Sequence, residues 1–118
     1  MSCPVFIAES FAVRTSAHML HLTSQSYAEH VALGSFYEDL VGFVDAYAEA
    51  YQGLNGRIAK FPSVTPDQTD DPIELLEEYL EAVQAEEKVV RNSQALLNIM
   101  VDIEQLTAST LYKLKFLK

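Results

Sequence analysis

The chain has one cysteine, no tryptophan, four glycines and four prolines in 118 residues, and only 8 lysines and arginines against 17 aspartates and glutamates. The single cysteine, Cys3, excludes an intrachain disulfide framework and fits a reducing compartment. Its position predicts a residue of no consequence at a fraying end. The shortage of cations, with a formal net charge of -9, makes the surface repulsive to phosphate, so direct binding of DNA is not expected. Long apolar runs are missing too. Residues 1–13 are largely apolar but include Glu9 and no basic residue before Arg14, so they make a poor signal peptide and fall far short of a bilayer span. A cytoplasmic chain with no membrane association is therefore expected. What the sequence does have is 49% hydrophobic residues, spread along nearly its whole length, which predicts one compact acidic domain rather than a disordered chain.

Helical spacing accounts for most of those apolar residues. A first helix, over 5–22, carries Val5, Ala8, Phe11, Ala12, Ser16, Met19 and Leu20 along one stripe, with Pro4 suited to its first turn. Ser26, followed three positions later by Glu29, reads as a capping box opening a second helix over 27–52, with Gly53 as its stop. Residues 53–71, with Gly56, Pro62 and Pro66, read as a long crossover with one helical turn around 58–61. Asp71-Pro72-Ile73-Glu74 is an N-cap, a proline at the first helical position and an acidic first turn, starting a third helix over 72–91. That helix is expected to bury Ile73, Leu76, Leu80, Val83 and Val90 and to expose Glu77, Glu78, Glu81, Glu86 and Glu87 as a solvated acidic face. A break at Arg91-Asn92-Ser93 gives a fourth helix over 93–117 with Leu96, Met100, Ile103, Leu106, Leu111, Leu114 and Leu117, because an unbroken helix would outrun its neighbours. Lys113, Lys115 and Lys118 fall where cations complement a helix C-terminus. The fold class expected is all-α: two antiparallel helix pairs joined by a long crossover between the second and third helices.

Chemistry-bearing residues concentrate around the first turn and on the second helix. All three histidines, His18, His21 and His30, flank the turn between the first two helices. Asp45 and Glu49 stand four residues apart and so share one face of the second helix. Imidazole with carboxylate suits a hard or borderline cation such as iron, and the absence of a thiolate set argues against structural zinc. Tyr27, Tyr37, Tyr47 and Tyr51 are expected to be packing residues.

The segment His18-x11-His30-x14-Asp45-x3-Glu49 resembles the ferroxidase signature of the starvation-induced DNA-protection proteins, the Dps or mini-ferritin family. The stretch SYAEHVALGSFYEDLVGFVDAYAEAYQGLNG is similar to that family's second helix, and SQALLNIMVDIEQLTASTLYKLKFLK more loosely to its last. The turn HLTSQSYAEH also resembles small ferritin-like proteins of tailed phages. The resemblance implies a ferritin-like four-helix bundle, a homo-oligomer built from two-fold dimers, and binding and oxidation of Fe(II), with one or two irons left open. Its site would be shared between subunits, His30 and either His18 or His21 from one, Asp45 and Glu49 from the other. An alternative alignment places His21 rather than His18 on the family's first histidine, and both stay open. Where the family has tryptophan after that histidine this chain has Met19, or Leu22 in the second alignment. Where the family has an arginine after its glutamate this chain has Ala50, and it carries no lysine-rich tail of the kind the family uses on DNA. The reading from another class is a non-enzymatic acidic helical interaction protein that keeps the fold without metal turnover.

Overall fold

The computed structural model describes residues 3–67 and 69–117; Lys118, counted above with the terminal cations, lies outside them. Four helices make up the chain: α1 (Cys3–Thr23), α2 (Tyr27–Asn55), α3 (Pro72–Val89) and α4 (Gln94–Phe116). Among the described residues there is no strand, and no helix is long and apolar enough to cross a membrane.

Helices α2, α3 and α4 each begin where a side chain can satisfy free amides. Ser26 accepts from the Glu29 amide at 3.3 Å, but its own amide donates to Ser24 Oγ, so the capping box closes on one side only. Asp71 accepts from Ile73 and Glu74 ahead of Pro72, and Ser93 caps α4 through the Leu96 amide. The starts of α2 and α3 coincide with the sequence-based bounds, and the other ends differ by one to three residues. The largest change is at α2, which runs through Gly53 and ends before Gly56, whose φ of 93° suits a residue without a side chain. No helical turn forms around residues 58–61.

Helix α1 packs on α2 and α3, and α4 packs on the same two, leaving α1 diagonal to α4 and α2 diagonal to α3. At 1.5 Å per residue the 29 residues of α2 extend about 44 Å, matching the 44 Å long dimension of the molecule. The crossover travels that length. It leaves α2 with the Ile58 amide on Gln52 Oε1, lies along α1 so that Phe61, Pro62 and Val64 line a hollow with Ala8, Phe11 and Thr15, and meets α1 again where Ser16 Oγ donates to the Asp67 carbonyl at 3.0 Å. Asp71 and Pro72 then lie beside Ser26 and Glu29 at the start of α2, so α2 and α3 run in the same direction.

Two expected faces are corrected. The face of α1 in the core is Cys3, Phe6, Ile7, Ser10 and Ala17, joined by Ser16, about half a turn from the expected stripe. Phe11 and Met19 are exposed. The expected stripe is apolar because it is the bed of the crossover. Cys3, expected to be inconsequential, is 5% exposed. On α3, Leu75 and Tyr79 join Leu76 and Val83 in the core, and Glu86, expected in solvent, is 1% exposed. Leu117 is exposed as well, since it follows the last turn of α4. The rest of the core is Ala32, Leu33, Phe36, Leu40, Val44 and Tyr47 of α2, Val90 after α3, and Leu96, Met100, Ile103, Leu111 and Leu114 of α4.

Candidate functional site

The α1–α2 turn brings the last two turns of α1 against the first two of α2, and with them the three histidines. His21 and His30 stack with ring centroids 3.7 Å apart and planes 17° from parallel. His21 Nδ1 donates to the His30 carbonyl at 2.5 Å, and His30 Nδ1 donates to the His21 carbonyl at 2.7 Å. A carbonyl oxygen only accepts, so the proton of each neutral ring sits on Nδ1 and the lone pair on Nε2. Gly34, one turn after His30, makes room: a Cβ there would stand 3.0 Å from His21 Cε1 and 3.1 Å from Nδ1.

His18 is stacked on Tyr37, 4.1 Å between centroids, and stands 6.2 Å from His21 with its plane tilted 59°. Tyr37 is also T-shaped to His21, 5.3 Å between centroids, and has the Arg14 guanidinium over its ring at 5.3 Å. The result is a half-buried aromatic and imidazole cluster at one end of the bundle. Arg14 and Gly34 were not singled out by sequence reasoning, and Tyr37 was expected only as a packing residue. Gly34 carried the one usable signal, a glycine inside a helix one turn from a histidine.

Asp45 and Glu49 do not join this cluster within one chain. They lie 15 and 19 residues beyond His30 on a continuous helix, about 22 and 28 Å along its axis, and both are exposed. Among the described residues no three His, Cys, Asp or Glu side chains converge as a metal-holding group. Imidazole lone pairs lie in the ring plane. Rings stacked face to face therefore do not aim at a common point ~2 Å from each nitrogen, and His21 and His30 do not hold one ion between them while they are stacked.

At the other end, the core encloses a second polar cluster. Tyr47 Oη donates to Glu86 Oε2 at 2.5 Å, while Glu86 Oε1 is buried with no hydrogen-bond partner among the described residues. Burial pushes the Glu86 carboxyl above its ordinary range, against the opposing effect of Tyr47, and keeps Tyr47 protonated. The Cys3 thiol beside them is pushed up to about 12 by burial, so it is not a thiolate nucleophile near neutral pH. Tyr79, stacked on Phe6, donates to Ser10 Oγ at 2.8 Å. On the α3–α4 seam, burial and the adjacent Glu104 raise Glu87 to about 7.

The profile of a family of unknown function, DUF5856, matches residues 21–114. The chain belongs to that family. The matched span takes in His21, His30, Asp45, Glu49 and Glu86 and leaves out His18 and Cys3. No curated protein and no solved structure matches the chain.

Proposed function

We propose that this DUF5856 chain is a ferritin-like bundle, related to the Dps proteins, that takes up Fe(II) as substrate at sites completed between two copies. The observation that carries the reading is the wiring. A crossover running the full bundle length, with α2 diagonal and parallel to α3, is the connection that ferritin-like bundles use. Three further features support it. The main-chain hydrogen bonds that set the His21 and His30 tautomers leave Nε2 as the ligating nitrogen, the anchoring that metal-binding imidazoles commonly have. Asp45 and Glu49 face outward, where a second copy can reach them. Ser35, Gly42, Ala46 and Gly53 are exposed along the same outer side of α2, with nothing within 4 Å of a Cβ built on either glycine. A glycine inside a helix costs about 1 kcal/mol against alanine, and close approach of another helix backbone is a reason to keep it.

Because stacked His21 and His30 cannot share one ion, each iron takes one of these rings or His18 from one subunit and Asp45 and Glu49 from the other. The imidazole supplies neutral nitrogen and the carboxylates supply the negative charge that favours ferric over ferrous iron. No DNA-binding role is proposed for a chain of net charge -9.

A second reading has its own observation. The mutual hydrogen bonds of His21 and His30 tie α1 to α2, a purely structural use of both rings, and leave the bundle as a non-enzymatic interaction protein. Anaerobic Fe(II) titration followed by oxidant, with native mass measured in parallel and Asp45→Ala/Glu49→Ala as control, separates the two. Stoichiometric binding and oxidation by an oligomer, lost in the control, is the result expected. A monomer, or iron uptake equal in the control, overturns the iron reading in favour of the second.

A further inference from the structure

Helices α1 and α3 pack over the least of their length of any neighbouring pair, and the crossover does not fill the gap. A cleft of 310 Å³ remains between them. Its floor is made by small and apolar groups, with Ala12 on α1 facing Leu75 and Ala82 on α3, and the ring of Tyr79 forms one wall. The Tyr79 hydroxyl is already taken by Ser10, so the cleft meets the ring rather than a polar atom. Around this floor stand three carboxylates from three different segments: Glu9 of α1, Asp67 of the crossover and Glu78 of α3. No lining side chain is basic, and among the described residues the only ion pair joins Lys115 to Glu77, elsewhere on α3. Asp67 accepts from the Thr69 amide through one oxygen, and among the described residues no cation pairs with the charge of the rim.

An apolar floor under an anionic rim complements a molecule whose body is methylene and whose ends are ammonium. The volume lies at the lower end of the range of small-molecule pockets. An inorganic cation would leave the floor wet, and a neutral hydrocarbon would leave the carboxylates unmatched. We propose that this cleft binds an aliphatic polyamine, its methylene segments on Ala12, Leu75 and Ala82 and its ammonium groups at Glu9, Asp67 and Glu78. The site uses none of the histidines and neither Asp45 nor Glu49, so it stands or falls independently of the iron reading.

The test is titration of the whole chain with spermidine, followed by amide NMR shifts, against Mg²⁺ at matched ionic strength and against 1-hexanol. Two variants accompany it: Glu9→Gln/Glu78→Gln, which removes rim charge without changing shape, and Ala82→Phe, which fills the floor. Saturable shifts centred on residues 9–13, 64–67 and 75–82 are expected, reproduced by neither Mg²⁺ nor hexanol. Binding should weaken about tenfold in the Gln pair, as two partly exposed ion pairs warrant, and fall further in Ala82→Phe. The proposal is overturned if no saturable shift appears, if Mg²⁺ reproduces the pattern along the whole acidic face of α3, or if the Gln pair binds as the parent does. The Gln variant decides the matter even if Ala82→Phe does not fold.

Discussion

At the end of the bundle where α1 turns into α2, His21 and His30 are half-buried and each Nδ1 has a main-chain carbonyl. At the opposite end Glu86 is 1% exposed, and one of its oxygens has no hydrogen-bond partner among the described residues. The first arrangement is satisfied and partly accessible: it spends Nδ1 of each ring on a main-chain carbonyl and leaves Nε2 without one. The second is sealed. An acid removed from water holds its proton more tightly than an exposed one, and with Tyr47 it ties α2 to α3. Polar groups in one bundle thus separate into those that can meet a ligand and those that cannot.

The contrast can be broken most severely at the sealed end. Replacing Tyr47 with Ala removes a fully buried ring packed edge-on against Phe6 and strips Glu86 of its donor, so a loss of about 3–5 kcal/mol is expected in denaturant unfolding. Tyr47→Phe keeps the ring and removes only the donor, for about 1–3 kcal/mol. Adding Glu86→Leu to Tyr47→Phe should recover most of that, because two apolar partners leave nothing unsatisfied; a double variant weaker than Tyr47→Phe alone would show that the pair contributes more than its desolvation costs.

At the histidine end, His21→Ala and His30→Ala should each cost about 1–2 kcal/mol, and the double variant less than their sum, since each loses its own hydrogen bond to a main-chain carbonyl but the stacking is shared. Strict additivity in that cycle would mean that the two rings act separately. On the α3–α4 seam, Glu87 keeps its proton in the folded state up to about pH 7, while in the unfolded chain it releases it near 4.5. Its contribution is therefore fully present below 4.5 and falls away as pH rises toward 7, and buried Glu86 adds a loss of the same sign. Melting curves from pH 5 to 8 should show the decline, and Glu87→Gln should make it shallower. The smallest effect is expected from Gly42→Ala, where the added methyl meets nothing within 4 Å: a gain of up to about 1 kcal/mol in a monomer. A fall in oligomer mass in the same variant would indicate a second helix packed at that glycine.

Helix starts were legible because a cap is a local event. Asp71-Pro72, Ser93 and Ser26 satisfy amides two or three residues away, and nothing distant is needed to recognise them. Side-chain faces were less legible where a helix is apolar all round. Helix α1 meets α2 and α3 on one side and the crossover on the other, so both sides are apolar and periodicity does not choose the core face. Glu86 was read into solvent because it sits in an acidic run, and the hydrogen bond it accepts in the core comes from a tyrosine 39 residues away in the chain. The histidines, Asp45 and Glu49 were legible as residue types at a spacing. Their separation along α2 follows from helix rise alone, but the mutual clasp of His21 and His30 does not, because it depends on how closely α1 and α2 approach at Gly34.

By itself, then, the amino-acid sequence determined four helices, their caps, a long connection in the middle and an acidic surface, all of them properties of neighbouring residues or of composition. Tertiary structure alone decided which side of α1 is core, that the crossover lies on the other side, that Glu86 is enclosed with Tyr47, and that two of the three histidines spend Nδ1 on each other's backbone. Those outcomes turn on which surfaces meet, and a side chain's burial and hydrogen-bond partners are set by helices far away in the chain.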